Sequence, residues 1–184
     1  MTIDFDGWTT YCTYEYIYSH DNNRFIKNCM YDRYTANRGN TVRYCLSVND
    51  NNSRNILNTP LIATENILGM GLVMEDFTFC NNTIVNASPI QFDMLRNAII
   101  MNNLVVGQSS KTWQTFFTGI TAFTVTGEFE NNCFFNYVNP ATAKRSIKSD
   151  PELNEKYIPQ GLPRDIGALD GSNYVGCRLP KELK

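Results

Sequence analysis

The chain has 184 residues, 42% of them hydrophobic and 18% charged, which is one domain's length with enough apolar material for a core. Its formal net charge of −2 provides no overall basic field, which argues against nucleic acid and anionic membrane surfaces as partners. The longest apolar runs fall far short of the roughly 20 residues that cross a bilayer, so no membrane span is predicted.

The predicted elements are short strands separated by turn residues. In chain order they include 1–7, 14–19, 24–29, 42–47, 71–77, 80–85, 89–92, 101–106, 122–129 and 130–135. Asparagine, which tolerates turn conformations, occurs 23 times, and β-branched and aromatic residues are plentiful. No segment shows the long 3.6-residue periodicity that a helical solenoid requires, so the composition predicts an all-β chain.

Five of these segments align as repeats, beginning at Tyr14, Val42, Cys80, Met101 and Glu130, with spacings of 28, 38, 21 and 29 residues. The alignment gives one apolar column and one amide column. The apolar column contains Tyr18, Leu46, Ile84, Val105 and Phe134, and the amide column contains Asn82, Asn103 and Asn132. The first two rows carry Tyr16 and Tyr44 in the amide column, where stacked rings would replace stacked amides. A fixed core with loops of variable length is typical of a solenoid.

These rows resemble the pectate-lyase-like superfamily, whose members fold as a single-stranded right-handed parallel β-helix with asparagine ladders at its turns. The resemblance implies about five coils over residues 1–170, followed by a tail at 171–184. Ser149-Asp150-Pro151 and Asp165-Ile166-Gly167-Ala168 are similar to the closing segment of such proteins. We expect the first coil, which begins abruptly at residue 1, to belong to a longer protein or to be covered by self-association with another copy.

Six cysteines and one histidine, without a CxxC pair, give little support for a zinc cluster. We expect the cysteines to be small buried residues with free thiols rather than disulfides.

The most polar cluster lies in the first two rows. Glu15 and Arg43 are aligned neighbours, so they are expected to pair. This pair is either a surface salt bridge or part of a carbohydrate groove with Tyr14, Tyr16 and Tyr18 on one face. His20 precedes Asp21, and the two can cooperate as a proton acceptor or donor only if a turn intervenes, because adjacent strand residues face opposite ways. A turn or hydrogen-bonding role is the alternative for His20.

The resemblance implies a carbohydrate-active protein that acts on or binds an acidic polysaccharide or oligosaccharide. For a polysaccharide lyase, His20, Lys27 or Arg43 would be the base, and Ca²⁺ would be held by Asp4, Asp6 and Asp21. Substrate would bind at Glu15, Tyr16, Arg24 and Trp113, although for Trp113 a hydrophobic flap over the core is favoured over a sugar-stacking role. A polygalacturonase-like hydrolase is disfavoured because its paired aspartates and GHG element are missing.

The alternative function is a noncatalytic glycan-binding module or a structural or adhesive stalk. The predictions of a glycan ligand and of an extracellular or cell-envelope location both rest on analogy with proteins of this fold.

Overall fold

The computed structural model describes residues 2–30, 37–50, 62–66, 74–87, 90–92, 95–107, 125–136 and 148–160. All regular structure in these ranges is β-strand, which confirms the all-β prediction for this part of the chain. No helix within the same ranges is long and apolar enough to cross a membrane. Trp113, residues 161–170 and the predicted tail at 171–184 lie outside the described residues.

The strands form three sheets. Sheet I contains β1 (Ile3–Phe5), β4 (Ile26–Met30), β7 (Ile62–Asn66) and β11 (Ile90–Gln91). Sheet II contains β2 (Thr13–Glu15), β5 (Thr41–Arg43), β9 (Thr78–Cys80), β12 (Leu95–Met101) and β14 (Val125–Glu130), and β8 (Met74–Glu75) also pairs with β12. Sheet III contains β3 (Tyr18–His20), β6 (Leu46–Val48), β10 (Thr83–Ala87), β13 (Leu104–Gly107) and β15 (Cys133–Phe135).

Every pairing between these named strands is parallel. Parallel neighbours cannot be joined by a tight hairpin, so the chain must travel elsewhere before it returns to the same sheet. From β1 to β13 the described strands run from sheet I to sheet II to sheet III and then back to sheet I, and β14 and β15 add one more strand to sheets II and III, so that neighbours in a sheet come from successive passes. This winding is compatible with a solenoid.

Alternation along the strands sends one set of side chains into a shared interior. In sheet II the inward column is Tyr14, Val42, Phe79, Ile100 and Phe129, flanked on β2 by the exposed Thr13 and Glu15. Phe5 of sheet I contacts Tyr14 of sheet II edge-to-face, with ring centroids 5.2 Å apart. These rings belong to one apolar cluster that joins the sheets.

Sharp corners connect sheet II to sheet III. In the passes that the structure describes, the corner residue has φ of 54° to 58°, and it is Tyr16, Tyr44, Asn81, Asn102 or Asn131. Asparagine is well suited to this left-handed conformation, whereas tyrosine enters it less readily. The residue that follows the corner turns inward, and in the last three passes it is a buried asparagine.

Amide hydrogen bonds connect these buried asparagines. Nδ2 of Asn82 donates to Oδ1 of Asn103 at 3.1 Å, and Nδ2 of Asn103 donates to Oδ1 of Asn132 at 2.9 Å. The same oxygens accept from the backbone N–H groups of Asn82 and Asn103, each at 3.0 Å. The bonds stabilise the corner because they satisfy polar groups that would otherwise be buried without partners.

The repeat alignment is wrong by one residue between its second and third rows. Arg43 pairs with Cys80, a separation of 37 residues, and Leu46 therefore lies beside Thr83 rather than Ile84. The pairings of Tyr18 with Leu46, and of Ile84 with Val105, agree with the alignment. The one-residue error arises because Asn81 and Asn82 have the same side chain. In the structure they differ, since Asn81 is the corner residue and Asn82 points into the interior.

Because of this shift in register, the tyrosines of the first two rows occupy a different position from the one that the alignment gives them. Tyr16 and Tyr44 stack as expected, with centroids 5.4 Å apart and an interplanar angle of 10°. They correspond to the corner residue Asn81, however, and not to the buried amide column. The position equivalent to Asn82 is Cys45, whose backbone N–H donates to Oδ1 of Asn82 at 3.0 Å. The stacked rings are therefore on the surface.

The segment 148–160 lies against sheet III. Leu153 packs against Leu104 and Cys133, and Tyr157 and Ile158 pack against Leu46 and Val48. Asp150 accepts the backbone N–H of Glu152 at 2.8 Å, which closes a turn at the predicted Ser-Asp-Pro element. This segment therefore covers apolar side chains on that sheet.

The described cysteines are free thiols, and all except Cys12 are buried. The sequence prediction is therefore confirmed for Cys29, Cys45, Cys80 and Cys133.

Candidate functional site

The predicted site residues fall into three groups, one for each sheet. Asp4 and Lys27 lie on adjacent strands of sheet I, with Asp6 and Arg24 close to them. Glu15 and Arg43 lie on sheet II, and Tyr16 occupies the corner that follows it. His20 ends β3 of sheet III, and Asp21 follows it. The first two passes thus carry all of these residues, but they do not gather them into one site.

On sheet I, Asp4 and Lys27 are direct cross-strand neighbours. Burial raises the pKa of the Asp4 carboxyl, and the nearby charge of Asp6 acts in the same direction, while Lys27 and Arg24 act in the opposite direction. The mixed charges make this cluster a partly neutralised ionic patch. Within the described ranges, no three His, Cys, Asp or Glu side chains come close enough together to hold a metal ion.

On sheet III, Nδ1 of His20 lies 3.0 Å from Oδ2 of Asp21, and both side chains are more than half exposed. The contact is possible because Asp21 has a φ of 56°, which supplies the turn that adjacent residues need to face one another. A carboxylate at Nδ1 favours the tautomer that carries its proton there, and Nε2 is then available as an acceptor. The pair therefore has the chemistry of a proton acceptor in an open position.

On sheet II, Nε of Arg43 donates to Oε2 of Glu15 at 2.7 Å, as the alignment predicts. This hydrogen bond is the main cause of the raised pKa of the Arg43 guanidinium, which keeps its charge. The guanidinium carbon also lies 5.6 Å from the centre of the Tyr44 ring. Tyr44 in turn stacks on Tyr16, whose side chain is 45% exposed. We call Tyr16, Tyr44, Arg43 and Glu15 the first platform.

The three tyrosines expected to line one face are separated. Tyr14 is an inward residue that packs against Phe5, and Tyr18 lies on sheet III, where its ring centroid is 5.2 Å from that of His20. Only Tyr16 remains with Glu15 and Arg43. On a single strand, residues two apart would share a face. The corner at Tyr16 between β2 and β3 breaks this alternation, so the three tyrosines do not lie on one face.

Two further groups of polar residues are not predicted from the sequence. One is the exposed pair of Tyr11 and Arg38, with the guanidinium carbon 5.7 Å from the ring centre. The other is the buried carboxylate of Asp50, which accepts hydrogen bonds from Ser19 at 2.5 Å and Ser47 at 2.6 Å. A sequence signal for Asp50 exists, because the two serines occupy an inward column that otherwise contains apolar residues.

A recess of about 410 Å³ opens on sheet II and is lined by Asp76, Thr78, Asn97, Ala98, Ile99, Gly127 and Glu128. It follows an irregularity in the β12–β14 pairing, where the register shifts between Leu95 and Ala98. Asn97 donates to Oδ1 of Asp76 at 3.3 Å, so part of the polar lining is already paired. The recess lies on the same sheet as the first platform, and its lining contains no aromatic ring.

Comparison with family models, curated proteins and solved structures finds no match to this chain. Any function must therefore be argued from the side chains themselves. Of the three groups, the first platform combines exposed aromatic area, a fixed cation and polar neighbours.

Proposed function

We propose that this chain is an acidic-glycan recognition protein built on a right-handed parallel β-helix of about five coils, like members of the pectate-lyase-like superfamily. The cyclic order of the three sheets supports the fold proposal. The observation that carries the function is the first platform, in which two stacked tyrosines and a paired arginine lie together on an exposed surface. An extracellular or cell-envelope location is part of this proposal.

The chemistry of the platform fits a uronate sugar. An exposed aromatic ring offers a flat apolar face for the C–H side of a pyranose, and its hydroxyl supplies a polar contact. Arginine matches the planar geometry of a carboxylate and can bind it through two parallel hydrogen bonds. Glu15 uses Nε of Arg43, and the guanidinium has further N–H donors for a ligand. Glu15 therefore orients the arginine rather than contacting the sugar acid itself.

A lyase reaction is the second candidate, and the contact between His20 and Asp21 favours it. In this scheme Nε2 of His20 would accept the proton α to the uronate carboxylate, the electron pair left on that carbon would form a C=C bond, and the glycosidic oxygen on the β carbon would leave and take a proton from solvent. Asp21 would help to hold Ca²⁺, which would neutralise the charge of the sugar acid. A centre that uses His20, Lys27 and Arg43 together is not supported, because these residues belong to three different sheets. Binding alone requires only the platform and is the simpler proposal.

The test is the affinity of oligogalacturonate, measured by titration calorimetry for wild type and matched arginine variants. Arg43→Gln removes the platform cation, and Arg96→Gln is the control because Arg96 forms an equally short exposed pair with Glu75, at 2.7 Å. We expect Arg43→Gln to weaken binding at least ten-fold and Arg96→Gln to leave it unchanged. Exposed pairs contribute only about 0–1 kcal/mol to stability, so both variants should fold.

A neutral oligosaccharide of the same length supplies the ligand control. Equal affinity for the neutral and acidic oligomers would contradict the role of Arg43. Absence of binding to any glycan would favour the structural or adhesive alternative.

The lyase candidate is tested with the same oligomers by following the ultraviolet absorbance of unsaturated uronate products with and without Ca²⁺. Activity that is lost in His20→Ala and retained in Lys27→Ala would support catalysis at His20. Binding without any product in either condition would leave recognition as the function.

A further inference from the structure

A second aromatic and cationic surface lies at the other end of β2. Tyr11 is 69% exposed and sits at another corner, with a φ of 54°. The Arg38 guanidinium carbon is 5.7 Å from its ring centre, and Arg38 is itself exposed. Beneath the ring is Gly39, where a Cβ atom would lie only 2.4 Å from Cδ1 of Tyr11. We call Tyr11, Arg38 and Gly39 the second platform.

The absence of a side chain at Gly39 allows the Tyr11 ring to approach the backbone closely. Gly39 has a φ of 65°, so glycine also meets the conformational demand of this corner. In the following passes the equivalent corner carries Asp76 and Asn97, at φ of 56° and 55°. Among the described residues at this corner, Tyr11 of the first pass alone carries a ring, and the second pass provides the arginine and the glycine next to it.

The two platforms place a tyrosine and an arginine at the same residue spacing, with Arg38 over the first-pass ring of Tyr11 and Arg43 over the second-pass ring of Tyr44. In each, a corner tyrosine of the first pass accompanies an arginine of the second pass that lies 5.6 to 5.7 Å from a tyrosine ring. Tyr11 and Tyr16 are five residues apart, as are Arg38 and Arg43. Five residues of extended chain span at most about 16 Å, so one elongated ligand can reach both. The exposed Thr13 and the partly exposed Thr41 lie between them and offer hydroxyl groups.

We infer that the two platforms act as one linear track for a uronate oligomer, rather than as a pocket for a single sugar. This inference rests on the proposed function and adds the size and repeat of its ligand. A polymer with a carboxylate on every unit can place one acid on Arg38 and another on Arg43. Since the second contact is made within the same complex, an oligomer that spans both platforms binds more tightly than a short one.

The test is the dependence of affinity on oligogalacturonate length in wild type, Tyr11→Asn and Tyr16→Asn. Asparagine suits left-handed corners, and the chain itself has Asn97 and Asn81 at the equivalent positions, so these variants remove the rings without straining the backbone. Far-ultraviolet circular dichroism checks the fold of each. Arg96→Gln is the control for a surface change outside the track.

In wild type we expect affinity to rise at least ten-fold from the shortest oligomer to those long enough to span both platforms. Each variant should lose this gain for long oligomers and still bind short ones through its remaining platform. Wild-type affinity that does not depend on length, or a Tyr11→Asn variant that binds long oligomers normally, overturns the track but leaves the first platform in place. No binding of any acidic glycan overturns both proposals.

Single-stranded RNA also combines stacking bases with repeated negative charge. It therefore serves as a competitor in the same titrations. Tighter binding of RNA than of uronate oligomers, lost in both tyrosine variants, would overturn the ligand class.

Discussion

Asn103 at the centre of the buried amide column gives the sharpest stability prediction. Its Oδ1 accepts from the backbone N–H of Asn82 at 3.0 Å, and its Nδ2 donates to the Phe79 carbonyl and to Asn132, both at 2.9 Å. In Asn103→Ala, the buried N–H of Asn82 loses this acceptor, which costs about 1–3 kcal/mol. Three further bonds are lost, the two that Nδ2 of Asn103 donates and the one that its Oδ1 accepts from Nδ2 of Asn82 at 3.1 Å, and together they add about 2 kcal/mol. We therefore expect the free energy of unfolding to fall by about 3–5 kcal/mol.

This loss is a large part of a total stability of roughly 5–15 kcal/mol. Urea unfolding followed by circular dichroism measures it, and the slope with urea checks that the unfolded state is unchanged. Asn23→Ala is the matched control, because Asn23 is exposed, and we expect a change of about 0.5 kcal/mol or less. A loss below about 1 kcal/mol in Asn103→Ala would refute the reasoning that the amide bonds hold the corner.

Three further changes, at Cys133, Gly127 and Asp50, have expected effects on stability. Burial raises the pKa of the Cys133 thiol from 9.0 to about 12, so the folded state keeps a proton that the unfolded chain releases. The contribution of this thiol to the free energy of unfolding is complete below about pH 9 and is lost progressively between pH 9 and about pH 12. In urea unfolding over this pH range, the free energy of unfolding of Cys133→Ala should decline less steeply than that of wild type. The same pH dependence in both proteins would contradict this cause. In Gly127→Ala the new Cβ would lie 1.9 Å from the Ala98 carbonyl oxygen, at a φ of 139°. The melting temperature should fall by several degrees. An unchanged melting temperature would show that the β14 backbone shifts to accommodate the added methyl group at little cost. Asp50→Ala removes the acceptor of two buried serine hydroxyls and should cost about 2–4 kcal/mol in urea unfolding, with Asp50→Asn recovering part; equal midpoints for wild type and Asp50→Ala would exclude a stabilising role.

Short segments and recurrent asparagines were sufficient to predict parallel strands from successive passes. The pairings of Ile84 with Val105 and of Glu15 with Arg43 follow from the repeat alone. The one-residue slip at Leu46 does not, because a repeat aligned by residue type cannot distinguish the corner asparagine from the buried one. Backbone conformation makes that distinction, since Asn81 has positive φ and Asn82 forms the amide bonds.

The site was harder to predict than the fold. Sequence proximity grouped His20 with Glu15, yet the corner at Tyr16 sends the chain from sheet II into sheet III between them. Tyr11 and Arg38 are 27 residues apart and belong to no motif, so their contact requires the register of the first two passes. The position of a residue relative to the neighbouring strand thus decides which exposed residues can contact the same ligand. The sequence reveals these positions only when the repeats are aligned in the correct register.

Hydrogen–deuterium exchange of the wild-type chain, with and without a long oligogalacturonate, tests the central claim most directly. We predict slower exchange at 11–16 and 38–44, which contain both platforms, and unchanged exchange at 133–135 in β15. Exchange that is unaltered at 11–16 and 38–44 under saturating ligand, or protection confined to other strands, would contradict recognition of acidic glycan by this surface.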